Sequence, residues 1–154
     1  MPSNRTASTL LLAALAAVAA CSDSAPPKSR MDPRDVAQVT LGAKVYAQNC
    51  AACHGARLEG QPDWRQPLPN GRMPAPPHGE AGHTWHHTDE VLFGITKHGL
   101  KSYAPPGYQS DMPAYAGKLS DDEIWAVLSF IASHWKTREL LDARAEMIRN
   151  ASRR

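Results

Sequence analysis

Cys50-Ala51-Ala52-Cys53-His54 is the stretch of this chain whose residue types and spacing carry chemistry. Two thiols on one side of a helical turn can add across the two vinyl groups of a haem, while the imidazole that follows points at the iron. Other uses of paired cysteines fit poorly. A structural zinc needs four ligands, and the chain has 3 cysteines, of which Cys21 falls in a stretch that reads as a targeting segment. A thioredoxin-type redox pair wants a βαβ setting, whereas the residues before Cys50 are patterned as helix and no strand-rich run follows. The motif therefore predicts one covalently attached haem c, bound through Cys50 and Cys53, with His54 as an iron ligand.

The elements that must position this motif belong to a small domain. A chain of 154 residues with 42% apolar and 21% charged residues has material for one core and is too apolar to be disordered. The 13 prolines and 10 glycines point to a loop-rich middle. A net charge of +2 gives no argument for nucleic acid or any other strongly charged partner.

Residues 1–20 read as an address label. Arg5 supplies a weakly positive start, and the Leu/Ala/Val run from Leu10 to Ala20 is too short to span a bilayer. It ends in Val18-Ala19-Ala20-Cys21, which resembles a bacterial lipobox, so Cys21 is expected to be acylated and to tether the chain to a membrane. Each cysteine then has a covalent role, and no disulfide is expected. Residues 21–32, rich in Ser, Pro and charge, are expected to form a flexible tether.

Helical signals begin at Asp32-Pro33, an N-cap followed by a favoured first-turn residue, with Val36, Val39, Ala43, Tyr46 and Ala47 at three- and four-residue steps. A second helix is predicted from Thr88, with Asp89 and Glu90 in its first turn, Val91, Leu92 and Ile95 turned inward, and a stop at Gly99. The clearest helix follows Ser120-Asp121-Asp122-Glu123, a capping box ahead of Ile124, Val127, Leu128 and Ile131. No segment alternates as a strand does.

In this order the elements resemble class I cytochrome c. Gly42 and Tyr46 precede the CxxCH, a Met-Pro-Ala-aromatic loop follows the middle helix, and Val127-Leu128-Ser129-Phe130-Ile131 lies in the last helix. The resemblance covers residues 33–135 and implies an all-α fold, three core helices around one haem, with the first and last helices crossing near Gly42 and Phe130. Gly42 suits that crossing, since a missing side chain lets two backbones approach.

Within that resemblance Met112, in Asp111-Met112-Pro113-Ala114-Tyr115, is expected to be the second axial ligand. Met73 sits in a similar triplet but precedes the middle helix, where the family's chain is still wrapping the proximal side. The resemblance also implies a proline carbonyl accepting the Nδ1 proton of His54, with Pro76 and Pro77 as equal candidates. Trp85, Tyr103, Tyr108 and Tyr115 are candidate donors to a haem propionate.

His83, His86 and His87, with His78 nearby, depart from a plain cytochrome. Imidazoles at these spacings suit copper or zinc if the stretch turns helical, though solvated loop histidines or propionate neighbours are the simpler expectation. His98 and His134 read as cap or surface residues. Residues 136–154 lack Gly and Pro, and Leu141, Ala145 and Ile148 keep a helical step, so a C-terminal helical extension packed on the domain is expected.

An iron with both axial positions filled by His54 and Met112 suits one-electron transfer rather than substrate binding. The expected function is a membrane-tethered, monomeric, periplasmic electron carrier between a redox donor and acceptor, not an enzyme. Two alternatives stay open: a haem protein that releases Met112 for sensing or peroxidase chemistry, and a haem module whose histidine loop binds copper or zinc.

Overall fold

The computed structural model describes residues 31–153. The expected leader 1–20, Cys21 and the tether up to residue 30 lie outside the described residues, as does Arg154. Among the described residues no strand occurs; two isolated bridges, Met73 with Ser110 and Ala116 with Leu119, are the only ladder contacts. The chain is all-α, as expected.

Helix α1 spans Val36–Asn49 and continues, after a break at Cys50, into the short α2, Ala51–His54. Its start differs from the sequence expectation. Asp35, not Asp32, caps it, accepting from the N–H groups of Ala37 and Gln38 at 3.0 and 3.1 Å. The Asp32 carboxylate instead accepts from Arg34 N at 2.9 Å, turning the chain around Pro33. Met31 packs against the core, and Asp32 N donates to Ser129 Oγ at 2.9 Å, so the last residues of the expected tether belong to the domain. The buried face of α1 is Gly42, Val45 and Tyr46; Val36 and Ala47, read as inward, are exposed.

Helix α3, Asp89–His98, is capped by the Thr88 hydroxyl and ends at Gly99. Helix α4, Asp121–Ala132, carries the complete Ser120/Glu123 capping box. Its buried residues run almost all round it, because α1 covers one side and α3 another. Ile124, Val127, Leu128 and Ile131 form the centre of the core with Val45, Tyr46, Leu92 and Trp135. Where α1 crosses α4, a Cβ on Gly42 would lie 1.9 Å from Ala126 O and 2.8 Å from Phe130 Cβ, so only glycine permits this approach.

Helix α5, Arg138–Ala151, is the C-terminal extension, and it packs back on the domain over the 3₁₀ turn Thr84–His86. Its inward face is not the expected Leu141, Ala145 and Ile148 row. Leu140 and Arg144 are buried, one helical turn apart, while Leu141 is exposed. The Arg144 guanidinium donates to Trp85 O at 2.8 Å, to His87 O and to Asp89 Oδ1, and lies over the Trp135 ring. An arginine on the apolar side of a helix misleads periodicity because its partners lie far away in sequence.

Candidate functional site

The break at Cys50 aims the motif. Cys53 N and His54 N both donate to Cys50 O, at 3.1 and 2.9 Å, so one tight turn sets the two thiols and the imidazole on the same side. Tyr46, one turn earlier, fixes the end of that turn by donating to Gly55 O at 2.9 Å. No disulfide joins Cys50 and Cys53. Burial, then the neighbouring Cys53, pushes the Cys50 thiol up to about 11, which keeps it protonated at neutral pH.

His54 is buried, and its Nδ1 lies 2.8 Å from Pro76 O. Burial holds its imidazole below the ordinary histidine range, partly opposed by that carbonyl. Nδ1 therefore donates, and Nε2, which makes no hydrogen bond to a described residue, keeps its lone pair for another partner. The Pro77 carbonyl is used differently, accepting from Thr84 Oγ1 at 3.4 Å. Gly60 makes this proximity possible: its φ is +70°, and a Cβ there would strike Pro77 N at 2.4 Å.

Cys50, Cys53, His54 and Met112 line one cleft of about 290 Å³, walled by Leu92, Val127, Leu128 and Ile131. The loop carrying Met112 is held from several directions. Arg72 donates to Ser110 O at 3.1 Å and pairs with Asp111 at 2.7 Å; Ser110 Oγ accepts from Met112 N at 3.1 Å. Beyond Pro113, Tyr115 N and Ala116 N donate to Thr96 O and Lys97 O at the end of α3. Arg72 has no motif to betray it, since its partners are brought near only by folding.

Met73 differs from its expected placement. Its N–H donates to Gln109 O at 2.9 Å, which sets it beside the Met112 loop, and it lines the same cleft.

The propionate candidates separate. Trp85 donates to Glu80 O at 3.3 Å and stacks on His86, and Tyr103 abuts Gly94; neither lines the cleft. Tyr115 lines it, but its hydroxyl donates to Asn49 O at 2.6 Å. Tyr108 lines it with a hydroxyl that has no partner among the described residues, and burial raises its pKa.

The histidine loop does not assemble as a metal site. His83 stacks on Trp64 at 5.4 Å and His86 on Trp85 at 3.5 Å, so the ring faces are taken up by indoles. Among the described residues no three His, Cys, Asp or Glu side chains are grouped to hold a metal ion. His83 and His87 instead line the cleft, both held below the ordinary histidine range by burial first and by neighbouring imidazoles next.

His78, read from the sequence only as a neighbour of the histidine group, lies beside His54. Its ring stacks on His54, centroids 3.9 Å apart and planes at 24°. Burial, then the neighbouring histidines, holds it well below the ordinary range, so it is neutral.

This donor set fits a haem. Two thiols separated by one turn, a buried imidazole with a free Nε2 and a thioether share an apolar cleft, and soft or borderline N and S donors of this kind suit a haem iron. Comparison with known proteins agrees. The family model described as Cytochrome c matches residues 39–135. The chain is similar to the cbb3-type cytochrome c oxidase subunit FixP of Bradyrhizobium sp. (strain ORS 278), 27% identical over 106 residues, covering 68% of this chain and 30% of that protein. The chain thus spans less than a third of that relative. No solved structure gives a significant match.

Proposed function

The chain belongs to the cytochrome c family and carries covalently attached haem c, and from that premise we propose that it moves single electrons through a haem with His54 and Met112 as axial ligands. The observation that carries this reading is the convergence of Cys50, Cys53, His54 and Met112 on one apolar cleft. When bound, the haem supplies a one-electron iron couple. Cys50 and Cys53 hold it as thioethers. His54 donates through Nε2, and the proton on its Nδ1, shared with Pro76 O, makes the imidazole a stronger donor. Met112, a neutral thioether on a loop pinned by Arg72 and Tyr115, would hold the iron as its second protein donor, and such a donor would favour the reduced state. The apolar walls exclude water and so limit reorganisation when charge changes. Tyr108, with its open hydroxyl, is the propionate partner among the aromatic candidates.

The donor and acceptor are redox proteins on the outer side of a bacterial cytoplasmic membrane or at the outer membrane. No helix among the described residues is long and apolar enough to cross a membrane. Attachment is through lipid on Cys21, a reading supported by Val18-Ala19-Ala20-Cys21 and by the short apolar run before it. Two acyl chains anchor a protein stably where one does not.

Optical and near-infrared spectra of the ferric protein at neutral pH test the ligation. A low-spin spectrum with an Fe–S(Met) band is expected; a high-spin protein that binds carbon monoxide readily overturns the carrier reading. Mass spectrometry of the mature N-terminus is expected to find acyl chains on Cys21, and an unmodified cysteine there refutes the tether.

A further inference from the structure

We propose that His78 is a positioning residue for His54: its imidazole, pinned by Thr84, fixes the plane of the axial histidine and supports the positive charge that the ring takes up on oxidation. This rests on the reading of His54 as an axial ligand.

Two features of His54 would have to be set if its orientation matters. The contact from Nδ1 to Pro76 O at 2.8 Å limits in-plane swing. It does not stop the ring from tilting about that hydrogen bond. The face-to-face contact with His78, 3.9 Å between centroids, removes the remaining freedom on that side. A ring can do this only if it is itself immobile.

His78 is held at several points. Its N–H donates to Leu58 O at 2.9 Å, and its carbonyl accepts from Trp135 Nε1 at 2.9 Å. An edge contact with Tyr46, 6.1 Å and 73°, closes one flank. At the ring, Nδ1 lies 2.9 Å from Thr84 Oγ1. Thr84 has one hydroxyl proton, and it goes to Pro77 O at 3.4 Å. With that proton so placed, Thr84 Oγ1 accepts from His78 Nδ1. The carbonyls of Pro76 and Pro77 thus hold a pair of stacked rings, one directly and one through a threonine.

An aliphatic side chain at position 78 would fill the volume but offer no π face. The electron-rich face of a neutral aromatic ring favours a neighbouring ring that carries positive charge. Ferric iron makes His54 more positive than ferrous iron does, so His78 stabilises the oxidised state and lowers the potential. Its effect is opposite in sign to that of Met112.

Holoprotein carrying His78→Leu, His78→Phe or Thr84→Val tests this, by redox titration and by low-temperature electron paramagnetic resonance of the ferric form. His78→Leu is expected to raise the potential and shift the ferric g values; His78→Phe, which keeps the ring face but cannot bond Thr84, is expected to restore the potential while its g values stay shifted or broadened as in Thr84→Val. A His78→Leu protein indistinguishable from wild type overturns the proposal, as does a His78→Phe protein whose potential follows His78→Leu, since the ring face would then not be responsible. If His78→Leu fails to take up haem, Thr84→Val decides: shifted or broadened g values support pinning, and unchanged ones refute it. A wild type that lacks a low-spin spectrum refutes the ligation itself, which is a separate outcome.

Discussion

The Arg144 guanidinium lies 2.5 Å from Asp89 Oδ1, joining the middle of α5 to the first residue of α3. Both side chains are largely shielded, 7% and 20% exposed, so the pair sits where solvent screens little. Burial lowers the Arg144 pKa and Asp89 counters that. The same guanidinium serves the carbonyls of Trp85 and His87, which ties down the loop that leads into α3.

Arg144→Ala is therefore expected to destabilise the protein by about 3 kcal/mol, the range for breaking a buried pair and leaving one charge behind. Lysine should not rescue it, because a point charge cannot reach three acceptors in a planar fork. Denaturant unfolding of both variants checks this; near wild-type stability in Arg144→Lys contradicts the fork geometry.

Glu80 anchors the other end of α5. Its carboxylate accepts from Lys136 N, Thr137 N and Thr137 Oγ1, a cap supplied from a distant loop. Thr137 first, then the two backbone groups, lowers its pKa below the ordinary 4.5. A depressed carboxyl contributes stability that is present above its unfolded value and lost as pH falls through the folded one. The protection of the amides at the start of α5, measured against their intrinsic exchange rates, is expected to be high near neutrality and to fall below about pH 4.5, the ordinary carboxyl value. Glu80→Gln should remove this pH dependence of the protection.

Gly42→Ala is expected to cost about 1–3 kcal/mol, the range for overpacking, because a Cβ would meet the Ala126 carbonyl and α1 would have to move off α4. Thermal unfolding of the holoprotein measures it. Since α1 carries Cys50, a lower yield of haem-loaded protein should accompany the loss.

Met73 and Met112 line the same cleft, so the ligand assignment has a direct control. Met112→Ala is expected to abolish the Fe–S(Met) band and lower the potential, while Met73→Ala retains both. A band that survives Met112→Ala and disappears in Met73→Ala would reverse the assignment.

What could be read along the chain was what depends on neighbours a few residues apart. CxxCH is such a feature, because its chemistry needs one helical turn and nothing more. So are the Thr88 and Ser120 caps, whose hydroxyls reach N–H groups three residues on. Asp35 shows the limit of that logic: Asp32-Pro33 reads as the helix start, yet Asp35 is the cap, while Asp32 N is bonded to Ser129, far along the chain.

The tertiary structure decided what rests on distant partners. Pro76 and Pro77 are indistinguishable as letters, and only the folded loop, with Gly60 packed against both, presents the Pro76 carbonyl to His54 and the Pro77 carbonyl to Thr84. Arg144 reads as solvent until Asp89 and two carbonyls surround it, and His78 reads as one more loop histidine until the fold lays it on His54. The haem motif, its helices and the Thr88 and Ser120 caps were written in the sequence because their energetics are local. The setting of His54 was not, because hydrogen bonds and ring contacts across many residues exist only once the chain has closed.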